Sequence, residues 1–368
     1  MGLIARLPFA IHTHECKRQM NIFNAGVCAA VLSFTSVVDV MAATLPNVAV
    51  LATGGTIAGT APSATQTTGY KSGVLTAQAL IASVPSIGQV ANLSAEQVAN
   101  VGSDNVDNEI LLTLAKRVNS LLARDDISGV VITHGTDTLE ETAYFLNLVV
   151  KSDKPVVVTG SMRPSTAIGA DGPSNLLQAV TVAADPQARG RGVMIVLNDR
   201  IGSARFISKT DANALDTFGS SEGGYLGRLV NQQPRFETRV AREHTTATPF
   251  DISTLDHLPK VDIIYGYQND NGYMFDAAVA HQAKGIVIAG VGAGSESRFI
   301  IASIKRAMEQ GVTVVRSSRS GSGFVPADEA YPGLLGDSLN PQKARILLML
   351  ALSVTQDPAR IQDMFHRF

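Results

Sequence analysis

Along the first half of the chain, short apolar runs end in the same kind of punctuation. Val48-Ala49-Val50-Leu51-Ala52 stops at Thr53-Gly54-Gly55-Thr56, and Val130-Val131-Ile132 stops at Thr133-His134-Gly135-Thr136-Asp137. Val156-Val157-Val158 stops at Thr159-Gly160-Ser161, and Val193 to Leu197 stops at Asn198-Asp199. Continuous apolar runs of this length, without alternation, predict strands buried on both faces. Helical stripes lie between them: Glu109 to Ala123, with Ile110, Leu111, Leu114, Val118, Leu121 and Leu122 on one side, and Leu139 to Val150. Alternating strands and helices predict right-handed βαβ units, hence an α/β protein with a larger N-terminal, mostly parallel sheet covered by helices on both faces. Ligands of such sheets bind beyond the carboxyl ends of the strands, which is where each Gly/Thr cluster falls.

A polar, charge-mixed stretch, residues 238–259, interrupts the pattern and reads as a linker closing an N-terminal domain of residues 44–237. Beyond it, Val261 to Tyr265, Gly285 to Ala289 and Val312 to Val315, closed by an apolar helix around Ala344 to Leu352, predict a smaller C-terminal α/β domain over 260–368. Ahead of the fold, Lys17-Arg18, the apolar stretch Ile22 to Val38 and the small-residue exit to Ala43 have the order of a secretory signal, with residues 1–19 as an extension upstream of Met20. A membrane anchor is the other reading of this leader, and its apolar stretch is marginal for a span. Export to the periplasm is therefore expected. Both cysteines, Cys16 and Cys28, lie in the leader, which leaves the exported fold no thiol or disulfide. The chain has 368 residues, with 30 Lys+Arg against 32 Asp+Glu, so no basic footprint for nucleic acid or an anionic membrane is present.

Two clusters carry chemistry. Thr56 follows two glycines at a strand end, where backbone N–H groups face a ligand and a hydroxyl can reach an electrophilic carbon. Taken alone, it reads rather as an ordinary turn threonine capping the next segment. The second cluster, His134-Gly135-Thr136-Asp137-Thr138, adds two hydroxyls and a carboxylate ahead of Glu140-Glu141. There Asp137 or Thr138 would cap the helix, and His134 reads as a hydrogen-bonded structural histidine. No spacing of His, Asp and Glu matches a zinc or EF-hand pattern, so neither a metal nor a cofactor is expected.

Val50-Leu51-Ala52-Thr53-Gly54-Gly55-Thr56-Ile57-Ala58 and Gly129 to Leu139 resemble the two signature segments of the bacterial L-asparaginase/glutaminase family. The likeness runs from Leu45 to Phe368 through Gly102-Ser103, Met162-Arg163-Pro164, Ser208-Lys209-Thr210 and Asn340 to Arg345. With the leader, the chain is similar to the periplasmic type II branch, whose members are homotetramers with sites at subunit interfaces. The resemblance implies hydrolysis of the side-chain amide of L-asparagine, and of L-glutamine, to a carboxylate and ammonia. It makes Thr56 the nucleophile and Tyr70 its partner on a mobile lid. Thr136, Asp137 and Lys209 form a second catalytic trio, and Ser103 with Asp137 anchors the substrate. Residues 59–73, dominated by Gly, Thr and Ser directly after the nucleophile, fit a lid on composition alone.

Where the family usually carries Gln or Glu after the matching serine, this chain has Asp104, one methylene shorter, which leaves a contact to the substrate ammonium to a bridging water. Ser295 stands where asparagine-preferring members carry Asn and dual-specificity members Ser, which favours a glutaminase-asparaginase. Glu329 aligns loosely with an acid that a neighbouring subunit contributes, and a plain surface carboxylate is the equal alternative. Two other classes remain. A dinucleotide site at Gly290-Val291-Gly292-Ala293-Gly294-Ser295 lacks the third small residue and the acid about 20 residues on that its fingerprint requires. A non-enzymatic periplasmic amino-acid-binding protein fits export and two lobes but needs neither nucleophile nor lid.

Overall fold

The computed structural model describes residues 44–368, which form one compact unit. The leader and its two cysteines lie outside the described residues.

The N-terminal part contains β1 (Asn47–Gly54), α1 (Ala77–Ala82), β2 (Asn92–Val101), α2 (Asn108–Leu122), β3 (Gly129–Thr133), α3 (Leu139–Val149), β4 (Val156–Thr159), α4 (Gly172–Ala184) and β5 (Val193–Leu197). The short strands β6 (Arg200–Ser203), β7 (Ile207–Lys209), β8 (Phe218–Ser220), β9 (Gly227–Val230) and β10 (Gln233–Phe236) follow. Eight of these strands form one sheet in the order β10-β9-β6-β5-β4-β3-β1-β2, parallel from β2 to β5 and antiparallel beyond. The apolar runs occupy its centre, where β3, β4 and β5 are buried along their whole length. The chain moves from β1 outward to β2 and returns to lay β3 on the other side of β1. Connections therefore diverge between the carboxyl ends of β1 and β3, the switch point where a doubly wound sheet opens a crevice.

A second sheet, β11 (Val261–Tyr265), β12 (Gly285–Gly290), β13 (Thr313–Ser318) and β14 (Leu334–Leu335), is parallel and runs in sequence order. Helices α5 (Tyr273–Ala280) and α6 (Ile301–Glu309) pack against it, and α7 (Pro341–Val354) and α8 (Pro358–Arg367) end the chain. Asn340 caps α7 by accepting from the Lys343 N–H at 3.0 Å, and Pro341 takes the first helical position, where its missing N–H costs nothing. Nearly every side chain of α7 from Ala344 to Ala351 is buried because the helix lies between α3 and the second sheet. One apolar cluster consequently runs through both parts, from Leu51 and Ile132 to Val287 and Leu347.

Residues 238–259 are held down rather than spanning open solvent. Phe250 and Ile252 are buried, Phe250 meets Phe368 edge to face at 5.5 Å, and the Lys151 ammonium donates to the Thr248 carbonyl at 2.7 Å. Among the described residues, no helix is long and apolar enough to cross a membrane.

Candidate active site

Glycine contacts bring three turns together at the switch point. A Cβ on Gly55 would lie 2.3 Å from the Gly135 Cα and nitrogen, and one on Gly135 would lie 2.7 Å from the Ser103 Oγ. The turn after β1, the turn after β3 and the turn after β2 therefore touch backbone to backbone. Gly55 also sits at φ 77°, ψ −170°, a region essentially restricted to glycine. The following Thr56 starts a single 3-10 turn as its first residue, and no side chain caps that turn. Its hydroxyl instead meets the Tyr70 hydroxyl at 2.5 Å, with the threonine buried, so the capping reading fails.

Tyr70 belongs to segment 59–73, whose ends are joined by the antiparallel bridge between Thr60 and Lys71. The segment leans on the loop after β4, with the Ala61 N–H donating to Thr166 Oγ at 2.9 Å and the Ile168 N–H to the Ala64 carbonyl at 2.8 Å. Thr67, Thr68, Gly69, Tyr70 and Ser72 form one wall of a cavity of about 420 Å³; Thr136, Asp137, Lys209, Met162 and Arg163 line the rest with Ala212 and Asn213.

Across the cavity, the Lys209 ammonium donates to Thr136 Oγ at 3.0 Å and to Asp137 Oδ1 at 2.6 Å. Ser103, which is buried, accepts the Asp137 N–H on its hydroxyl at 3.1 Å and leaves its own proton free to donate. Thr138 occupies the cap position of α3 but makes no cap; its hydroxyl donates to the Ser103 carbonyl at 2.7 Å and ties the two turns together. His134 is fully buried between the Gly135 carbonyl at 2.7 Å and the Thr142 hydroxyl at 2.9 Å, and burial pushes its imidazole down to about 4. It is a neutral structural histidine.

The remaining expected residues lie elsewhere in the chain. Asp104 accepts from Asn105 at 2.9 Å and does not line the cavity. Ser295 bridges back to Val291 and lines a different cavity, at the carboxyl edge of the second sheet, and Glu329 is exposed. The turn after β12 closes on itself through that bridge, and α6 begins only at Ile301, so the glycines there do not open a helix as a dinucleotide site requires. Among the described residues, no group of three or more His, Cys, Asp or Glu side chains is arranged to hold a metal ion.

Sequence reasoning took Glu140 only as a favourable residue at a helix start. The structure buries it, and its carboxylate accepts the Lys209 backbone N–H at 2.6 Å, Asn340 Nδ2 at 2.9 Å and Gln342 Nε2 at 3.1 Å. Beside it the buried Lys343 ammonium donates to the carbonyls of Ile207 at 2.6 Å and Arg205 at 3.0 Å. Burial pushes this lysine down to about 8, against the pull of Glu140, while Arg205 lowers it further. Asn340 to Arg345 entered only as part of the family likeness; the cap and first-turn proline at Asn340-Pro341 are a local signal of the helix start, but nothing local shows what these side chains hold.

A two-lobed α/β architecture with hydroxyls, a lysine and a carboxylate gathered at a switch point has the form of an enzyme acting on small polar molecules. Residues 47–242 match the family model described as asparaginase, N-terminal, and residues 260–365 match the glutaminase/asparaginase C-terminal domain. The chain is 58% identical to L-asparaginase 2 of Bacillus subtilis over 88% of its length and 87% of that protein. It is 45% identical to a protein of Haemophilus influenzae named probable L-asparaginase periplasmic, over 89% of this chain and 94% of that one. A crystal structure of a probable cytoplasmic L-asparaginase from Campylobacter jejuni, 48% identical, superposes with a TM-score of 0.86, covering 88% of this chain and all of the other. The chain belongs to the asparaginase family and is an amidohydrolase of amino-acid amides.

Proposed function

We propose that this enzyme releases ammonia from the side-chain amide of L-asparagine, and of L-glutamine, through an acyl-enzyme ester on Thr56. The observation that carries the reading is the buried 2.5 Å contact between the Thr56 and Tyr70 hydroxyls beside a cavity whose far wall holds Lys209, Thr136 and Asp137. A threonine hydroxyl needs a proton acceptor within hydrogen-bond reach to act as a nucleophile, and the Tyr70 oxygen has that position. Thr56 Oγ bonds to the amide carbon while its proton passes to the Tyr70 oxygen and the tyrosine's own proton moves on toward the leaving amide nitrogen. The carbonyl oxygen becomes an oxyanion held by backbone N–H groups of the glycine-rich turns. The C–N bond breaks, the proton leaves with the ammonia, and water then cleaves the ester.

Lys209 donates to two oxygens at once, which suits an ammonium that supports the hydroxyl network rather than a free base. Asp137, with two-thirds of its side chain exposed, offers an oxygen to the substrate ammonium, and the free Ser103 proton suits the substrate carboxylate. Asp104 reaches the ammonium only through water. Ser295 and Glu329 enter the site from a neighbouring copy of a homotetramer, and Ser295 in place of Asn favours dual specificity. The leader with Lys17-Arg18 favours export to the periplasm. The test is ammonia release from both amides, measured as kcat/KM, by the parent and Thr56→Ala. The parent turns over both, and the variant loses about 10⁴-fold or more in kcat; parental speed in the variant ends the proposal.

A further inference from the structure

We propose that Glu140 is a positioning residue for Lys209, gripping the strand that carries it from inside the protein with the buried Lys343 as counter-charge. This rests on the role given to Lys209 above.

Strand β7 is three residues long and pairs only with the equally short β8, outside both larger sheets. Such a ribbon is too weak to hold a side chain at a fixed height by its own ladder. The contacts that fix it come from two helix starts. Glu140 stands three residues after Asp137, so the turn leading into α3 and the helix's first turn together hold Lys209 at both ends: Asp137 takes the ammonium at 2.6 Å, and Glu140 takes the backbone N–H of the same residue at 2.6 Å. From the other side, the start of α7 brings Asn340 and Gln342 to the second Glu140 oxygen. Asn340 also donates to the Ser208 hydroxyl at 3.0 Å, and Lys343 donates to Ser208 Oγ at 3.3 Å and to the carbonyl of Ile207. All three residues of β7 are thereby tied to one polar cluster in which Glu140 is 3% and Lys343 1% exposed. Buried charges of this kind are a poor source of stability compared with apolar packing. Their effect here is geometric: they set how far the Lys209 ammonium reaches toward Thr136 and Asp137.

Glu140→Gln keeps the shape but gives the cluster an amide nitrogen that faces other donors, and leaves Lys343 without its counter-charge. Steady-state kinetics with asparagine are expected to show kcat down about 10- to 100-fold and KM within about 3-fold, the size of effect that small misplacement of a reacting group produces. The same substitution in a Lys209→Met background is expected to cost less than about 2-fold, because coupled residues are not additive. Asn340→Ser keeps a capping residue for α7 while removing the donor to Glu140. It is expected to lose about 3- to 10-fold in kcat, again only when Lys209 is present, and it serves as the test if Glu140→Gln fails to give the parental near-UV circular dichroism. Parental kcat in a folded Glu140→Gln enzyme, or an equal loss with and without Lys209, overturns the proposal. Parental kcat in Lys209→Met alone overturns the role of Lys209 instead, so the two failures are separable.

Discussion

The carboxyl ends of the parallel strands in the two sheets each carry a cavity of about 420 Å³, yet their chemistry is opposite. At the edge of the first sheet Thr56, Ser103, Thr136, Asp137 and Lys209 all have hydrogen-bond partners. At the edge of the second, Glu296 is 7% exposed and both of its carboxyl oxygens lack a partner among the described residues, as do Asp270 Oδ2 and Arg316 Nε. Burial pushes the Glu296 carboxyl up to about 8 although Arg316 pulls the other way. The difference follows strand order. The first sheet reverses direction between β1 and β3, so two turns diverge and a third closes in behind them; the second sheet runs in sequence order and has no such reversal. A cavity beyond the strand ends is thus common to both; at the first, the side chains named above are hydrogen-bonded although the buried Thr133 Oγ1 at the end of β3 has no partner among the described residues, and at the second the buried Glu296 carboxyl is left unpaired.

The comparison breaks most severely at Gly55. Gly55→Ala forces a Cβ into the Gly135 backbone at a φ of 77°, and backbone strain plus overpacking should remove about 4 kcal/mol of stability. Denaturant unfolding checks this, and an unchanged midpoint would mean that the turns are not locked together.

Glu296 comes next. Its folded value is raised from 4.5 to about 8, so between those pH values the unfolded chain loses a proton that the folded carboxyl keeps. Stability from this group is full below pH 4.5 and falls as pH rises, by at most about 5 kcal/mol in all. Glu296→Gln should flatten that slope in urea titrations between pH 5 and 8. A parental enzyme with no such slope would show that assembly supplies the missing partner and that the two edges are equally matched.

His134 gives a smaller effect of opposite sign, on the first sheet's side. Its value is lowered from 6.5 to about 4, so the unfolded chain gains a proton that the folded one refuses as pH falls through this window. Stability from this group is full above pH 6.5 and declines by roughly 3 kcal/mol by pH 4. Urea midpoints of parent and His134→Gln between pH 7 and 4 measure it, the variant being expected to lack this part of the slope.

How legible a residue was in the sequence depended on the range of its contacts. The central strands and the two threonine clusters were readable because a buried parallel strand is one apolar run and a tight turn after it requires glycine. The edge was not. Strand β2 has no fully buried residue and five of its ten residues are polar, so it shows no continuous apolar run, and the antiparallel β6, β9 and β10 are four residues each. Tyr70 and Lys209 entered only through the family resemblance, since nothing local marks a tyrosine 14 residues, or a lysine 73 residues, from the hydroxyl it meets. Glu140 looked like a helix-start residue because its partners stand 69 and 202 positions away. Thr138 took the cap position and still spent its hydroxyl on another turn.

The central claim is that Thr56 forms the covalent bond with the substrate. A slowly hydrolysed amide analogue, quenched in acid after reaction with the enzyme and mapped by peptide mass spectrometry, reads that bond directly. The account predicts an acyl mass increment on the peptide carrying Thr56 and none on Thr136. An increment confined to Thr136, or ammonia release with no increment on either threonine, would contradict it.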